Sequence, residues 1–190
     1  MTAFLTSTAV VALAEIGDKT MLLAILLASR LRAPGQILLG ILAATLANHA
    51  LAALVGKEAA GLLDAPWFRL AVALGFIVMA AWTLIPDKLD DEAGDVPRRG
   101  GAFLTTLVAF FLVEMGDKTQ VATIALAAHY HAVLPVTAGT TLGMMLANGP
   151  AVFFGEALTR RVSLKATRTV AALLFLALGL WQLADWAGWL

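Results

Sequence analysis

Six stretches of the chain are each long and apolar enough to cross a lipid bilayer, and short polar joints separate them. A helix needs roughly 20 mostly apolar residues to span the hydrocarbon core, where every backbone polar group must be satisfied internally. The pattern therefore predicts an all-α membrane protein of six transmembrane helices, at about 2 to 29, 35 to 56, 67 to 85, 102 to 128, 133 to 157 and 167 to 188. Composition agrees, since 61% of the 190 residues are hydrophobic and only 14% charged, far from the balance of a soluble domain. Residues 2 to 14 are apolar enough for a signal peptide. They lack a basic leading segment and run straight into a charged motif and a second apolar stretch, so they read as mature helix.

Several function classes fall away at once. Net charge is zero and no basic run is sustained, so nothing points to nucleic acid. The chain has no cysteine, which removes disulfides, thiol redox chemistry, thiolate-bound zinc and iron–sulfur clusters. No catalytic residues and no bound cofactor are expected.

An internal repeat organises the rest. Glu15-Ile16-Gly17-Asp18-Lys19-Thr20 recurs ninety-nine positions later as Glu114-Met115-Gly116-Asp117-Lys118-Thr119, and the same offset relates Gly40 to Gly139, Gly56 to Gly155, Arg69 to Arg168 and Trp82 to Trp181. Leu46-Ala47-Asn48 matches Leu146-Ala147-Asn148 one residue out of step. The division is residues 1–85, a first three-helix repeat, 86–101, an acidic cytoplasmic linker, and 102–190, a second three-helix repeat. Three is odd, so the second repeat enters the membrane in the opposite sense. That is the inverted-repeat plan of secondary transporters, whose substrate sites lie at the repeat interface near the midplane.

Basic residues in short loops stay on the cytoplasmic side. Joints one, three and five, with the helix start that follows the fifth, carry Arg30, Arg32, Lys88, Arg98, Arg99, Arg160, Arg161, Lys165 and Arg168, against Lys57 and Arg69 on the other side. Both termini are thus expected outside, with Trp67, Trp186 and Trp189 as interfacial anchors there.

The motifs carry the chemistry. An Asp or Lys at the centre of a transmembrane helix costs roughly 2.5 to 3.5 kcal/mol, so two motifs with three ionisable groups each cost on the order of 15 kcal/mol before pairing reduces it. On a continuous helix Glu15 and Asp18 share a face at i and i+3, as do Glu114 and Asp117, so the four carboxylates are expected to converge. Gly17 and Gly116 permit close approach or local unwinding, which frees carbonyl oxygens. The plain structural alternative is a pair of i,i+4 ion pairs, Glu15 with Lys19 and Glu114 with Lys118. Against it, buried ion pairs stabilise poorly, and four carboxylates with two ammonium groups leave a charge of −2 that one divalent cation or two protons would neutralise.

Supporting candidates follow. Asn48 and Asn148 occupy matching mid-helix positions, as cation ligands or as hydrogen-bonding glue between helices. Pro150 cannot donate to the Leu146 carbonyl, leaving another oxygen at membrane depth. Gln120 is a weaker ligand candidate, with Met21 as its counterpart. His49 is a candidate proton relay or a packing residue. Met144 and Met145 read as packing, Gly139 and Gly143 as a close helix-packing face, and His129 and His131 as solvated. Asp87, Asp90, Asp91, Glu92 and Asp95 read as a solvated linker that could concentrate cations. All the donors are oxygens, which suits manganese, calcium or magnesium over zinc or copper.

At its two Glu-x-Gly-Asp-Lys-Thr motifs the sequence resembles the family of cation/proton antiporters whose human Golgi member is called transmembrane protein 165, and the resemblance covers essentially the whole chain. It implies transport of Mn2+ or Ca2+ in exchange for protons, and bacterial members resemble manganese exporters. Glu15, Asp18, Glu114 and Asp117 are implied as the functional carboxylates, with Lys19, Thr20, Lys118 and Thr119 as the remaining motif positions. Eukaryotic members carry a longer N-terminal extension, so the expected location is a bacterial plasma membrane, with a divalent ion, protons and the bilayer as partners. The rival readings are an exporter of a small amino acid or other organic solute, for which four acids are a poor match to a substrate carboxylate, and a passive channel or scaffold.

Overall fold

The computed structural model describes residues 1–61, 65–85, 101–155 and 164–189. The acidic residues of the expected linker, and Arg160 and Arg161, lie outside them. Every described element is helical: α1 (Thr2–Glu15), α2 (Lys19–Leu31), α3 (Pro34–Ala60), α4 (Pro66–Thr83), α5 (Gly101–Glu114), α6 (Lys118–Tyr130), α7 (Val133–Phe154) and α8 (Leu164–Trp186).

Two of the expected continuous spans are broken. The stretch from 2 to 29 divides into α1 and α2 at Gly17 (φ 86°), and the stretch from 102 to 128 divides into α5 and α6 at Gly116 (φ 78°). Left-handed backbone is cheap only for glycine and ends a helix, and the aspartate that follows starts the next one as its N-cap residue. The halves run 13 or 14 residues, about 20 Å at 1.5 Å per residue, too short to cross about 30 Å of hydrocarbon alone. The shared-face argument for Glu15 with Asp18 is corrected accordingly, because the two residues flank a break. Further on, α3 runs past the expected joint at Lys57 to Ala60.

Among the described residues three helices are long and apolar enough to span a membrane singly: Pro34–Ala60, Pro66–Thr83 and Lys165–Trp186. The surface is oily and the centre polar, the reverse of a soluble domain. Leu39, Val55, Val78, Leu134 and Phe153 are exposed, while Glu15, Asp18, Thr45, Asn48, His49, Glu114, Asp117, Lys118 and Asn148 are buried.

Packing follows the repeat. Helix α3 lies against α5 and α6, α7 lies against α1 and α2, and α3 also touches α7. A Cβ on Gly40 of α3 would meet the Phe103 carbonyl at 2.8 Å and Thr106 Cβ at 2.7 Å, and one on Gly139 of α7 would meet the Phe4 carbonyl at 2.5 Å and Ser7 Cβ at 3.0 Å. Phe103 and Thr106 are the repeat counterparts of Phe4 and Ser7, so one close contact is built twice. On the other flank α4 packs on α8, and Phe76 stacks at 6.4 Å on its own counterpart, Phe175. Trp186 Nε1 donates to the Pro66 carbonyl at 2.8 Å and Arg69 pairs with Asp185, so these two helices run antiparallel.

Candidate metal centre

Both helix breaks have the same local build. The Asp18 amide donates to the Glu15 carbonyl at 3.0 Å and the Asp117 amide to the Glu114 carbonyl at 3.1 Å. Neither aspartate side chain caps its own helix. The N-termini of α2 and α6, carrying partial positive charge, lie in the motifs themselves. Thr20 donates its hydroxyl to Glu15 Oε2, and Thr119 donates to Glu114 Oε2 at 2.9 Å. Residues five apart on a continuous helix point about 140° apart, so only the break allows a threonine to reach back to its glutamate.

The lysines cross over. Lys19 Nζ lies 2.8 Å from Asp117 Oδ1, and Lys118 Nζ lies 3.6 Å from Asp18 Oδ1. The Glu–Lys pairs at i,i+4 that a continuous helix would favour are replaced by Lys–Asp pairs between motifs. Each lysine pairs with the other motif's aspartate, and among the described residues neither glutamate forms an ion pair with a lysine.

Glu15, Glu114 and Asp117 each offer a carboxylate oxygen within 4.8 Å of the others, and all three residues are buried. Among the described residues Glu15 Oε1, Glu114 Oε1 and Asp117 Oδ2 have no hydrogen-bond partner, a costly arrangement for buried anionic oxygens that a cation would relieve. Asp18 stands outside this trio. The chemistry available is that of a hard-cation site built wholly of oxygen.

The neighbours divide between site and scaffold. Asn48 Nδ2 donates to the Phe111 carbonyl at 3.3 Å, its Oδ1 accepts from Gln120 Nε2, and Gln120 Oε1 accepts from the Gly116 amide at 2.7 Å. Gln120 thus ties the second motif to α3. Asn148 Nδ2 donates to the Met144 carbonyl at 3.2 Å, while its Oδ1 is buried with no hydrogen-bond partner among the described residues. His49 Nε2 is 3.9 Å from Glu114 Oε2, beyond hydrogen-bond reach. Three contacts escaped sequence reasoning: the crossed lysines, Trp82 with Lys118 Nζ 6.0 Å from its ring centre, and Arg168 Nη2 donating to the Gly17 carbonyl at 3.0 Å. The duplicated Arg69 and Arg168 were the only signal for the last.

A protein-family model described as "Divalent cation/proton antiporter GDT1" matches residues 3–91 and 102–189. The chain belongs to the GDT1 family. It is 50% identical over 171 residues, 90% of this chain and 84% of the relative, to the "Putative manganese exporter" of Vibrio cholerae serotype O1. It is 30% identical to GDT1-like protein 4 of Oryza sativa subsp. indica, over 94% of this chain and 72% of that one, and 30% identical to a GDT1-like protein of Synechocystis, over 92% and 93%. No solved structure matches. As a GDT1 protein the chain is a multi-pass membrane transporter and not an enzyme, with a buried acidic cluster suited to coordinating a divalent cation.

Proposed function

We propose that this GDT1 protein exports Mn2+, or Ca2+, from the cytoplasm in exchange for protons, with the ion held between its two motifs by Glu15, Glu114 and Asp117. The observation that carries the reading is the buried trio of carboxylates beside two crossed Lys–Asp pairs. With each aspartate answered by a lysine, the two glutamates leave a charge of −2, which one divalent ion or two protons neutralise. Two oxygens on opposite sides of such an ion sit about 4.2 to 5 Å apart, and the trio's spacing accommodates that. Asp18 steadies Lys118, while Asn48 and Asn148 complete the polar surroundings. Manganese is put first because the Vibrio relative is named for it.

The six-span, inverted-repeat plan is part of the proposal. The twice-built glycine contact, the stacking of Phe76 on its counterpart and the antiparallel α4 and α8 support a two-fold axis in the membrane plane. Residues 1–85 and 102–190 are then the two inverted repeats, joined by the linker 86–101, and the site opens by movement at the interfaces between them. The basic asymmetry of the joints puts the termini outside a bacterial plasma membrane. Single cysteines placed at Asp91 and His131 of this cysteine-free chain should label from opposite sides, Asp91 only from the cytoplasm. Labelling of Asp91 from outside intact cells would overturn the assigned export direction.

Metal and proton compete for the same oxygens. Each proton bound removes a ligand charge, so apparent Mn2+ affinity falls as pH falls, by up to about a hundredfold per pH unit where two protons are displaced. The decisive experiment is ion flux in liposomes containing the purified protein, comparing Mn2+ and Ca2+ with and without a pH gradient. Flux that ignores the gradient points to a channel, and absence of metal flux removes the antiporter reading.

A further inference from the structure

The two repeats treat one pair of arginines unequally, and the inequality has a direction. Arg168, on the first turns of α8, donates to the Gly17 carbonyl at 3.0 Å. Its counterpart Arg69, on the first turns of α4, pairs with Asp185 rather than with Gly116. The same inequality runs through the surroundings. Gly17 is buried and Gly116 exposed. Lys118, beside Asp18 and against Trp82, is 4% exposed, whereas Lys19, beside Asp117, is 23% exposed. Trp181, the counterpart of Trp82, is turned outward and exposed. The Gly17 side of the site is therefore sealed and the Gly116 side is less so.

We infer that Arg168 and Arg69 are alternate latches of the transport cycle: Arg168 closes the Gly17 side of the site in the state seen here, and Arg69 closes the Gly116 side in the opposite state. The inference rests on the inverted-repeat antiporter reading, in which the two end states exchange the conformations of the two repeats. A guanidinium is a fitting latch, because it stays charged and carries several donors for a carbonyl exposed by an unwound turn. Asp185 is the resting partner of Arg69. The matching position of the first repeat is Pro86, whose side chain offers no hydrogen-bond acceptor, so the sequence gives Arg168 no equivalent of Asp185. Neither arginine touches the trio of carboxylates; both are positioning residues.

The latch makes a reciprocal demand that a local brace does not. Hydrogen–deuterium exchange on the full chain in lipid nanodiscs, read over segments 15–20 and 114–119, tests it together with Mn2+ flux in liposomes. Loss of one charge-assisted hydrogen bond in Arg168→Ala should raise exchange at 15–20 on the order of tenfold, lower it at 114–119 and slow flux by a similar factor. Arg168→Lys, which keeps a donor, should restore part of each. Asp185→Asn touches neither motif, yet by releasing Arg69 it should shift both segments in the same directions, and it carries the test alone should Arg168→Ala fail to insert. A rise at 15–20 with 114–119 unchanged makes Arg168 a local brace and overturns the inference, as does an unaltered pattern in Asp185→Asn. Wild-type protein that carries neither Mn2+ nor Ca2+ would sink the antiporter reading, while the reciprocal exchange pattern would still decide the latch.

Discussion

Glu15→Gln and Glu114→Gln are each expected to reduce metal–proton exchange by at least about a hundredfold while leaving the protein folded and inserted. Glutamine keeps nearly the same shape, and its amide oxygen still accepts the hydroxyl that Thr20 or Thr119 donates to the native carboxylate. What it lacks is the charge. With the lysines already answered by Asp117 and Asp18, losing one glutamate charge leaves −1 against a dication in a buried site. Removing one partner of a buried charge pair costs about 3 to 5 kcal/mol, roughly two to four powers of ten. Both glutamates serve one site, so both variants should fail alike. Size-exclusion profiles in detergent followed by Mn2+ flux in liposomes check this, and a folded variant of either residue that exchanges at the wild-type rate would rule out the shared site.

The second large effect falls on stability, at the duplicated glycine contact. Gly40→Ala and Gly139→Ala each drive a methyl group to within 2.8 Å of a carbonyl oxygen on the facing helix. Backbone cannot swing aside as a flexible side chain can, so α3 must move off α5, or α7 off α1, at a cost of about 1 to 3 kcal/mol each. Valine at either position should prevent assembly. Gly75 supplies the control, since a Cβ there meets nothing within 4 Å, and Gly75→Ala inside α4 should leave stability unchanged or raise it by up to about 1 kcal/mol through helix propensity. Thermal unfolding in detergent compares the three alanine variants. Equal midpoints would mean that these helices do not approach as closely as described.

The helix breaks were half legible. Glycine after an apolar run followed by aspartate is a stop signal joined to a start signal, and the motif contains both in Gly17-Asp18 and Gly116-Asp117. Treating each span as one helix nevertheless put Glu15 and Asp18 on one face and Lys19 within reach of Glu15. Hydropathy cannot separate one long apolar helix from two half-helices, because window averages pass over a three-residue break. Gln120 shows a similar limit. Its side chain could be read as a ligand, yet it binds the Gly116 amide, which the helix break frees, and Asn48, which only assembly of α3 against α6 supplies.

The sequence by itself determined the membrane class, the apolar stretches, the ninety-nine-residue repeat and the concentration of charge in two motifs. Each of these is a property of composition or spacing along the chain, and burying ionisable groups in hydrocarbon is costly wherever the chain later turns. Tertiary structure alone decided that each lysine serves the other motif's aspartate, that Asp117 joins the two glutamates while Asp18 stands apart, and that Arg168 rather than Arg69 holds a motif carbonyl. Those outcomes depend on where the chain points after a positive-φ glycine and on which helix lies opposite. Packing between segments about a hundred residues apart sets both, and it holds two nearly identical motifs in unequal surroundings.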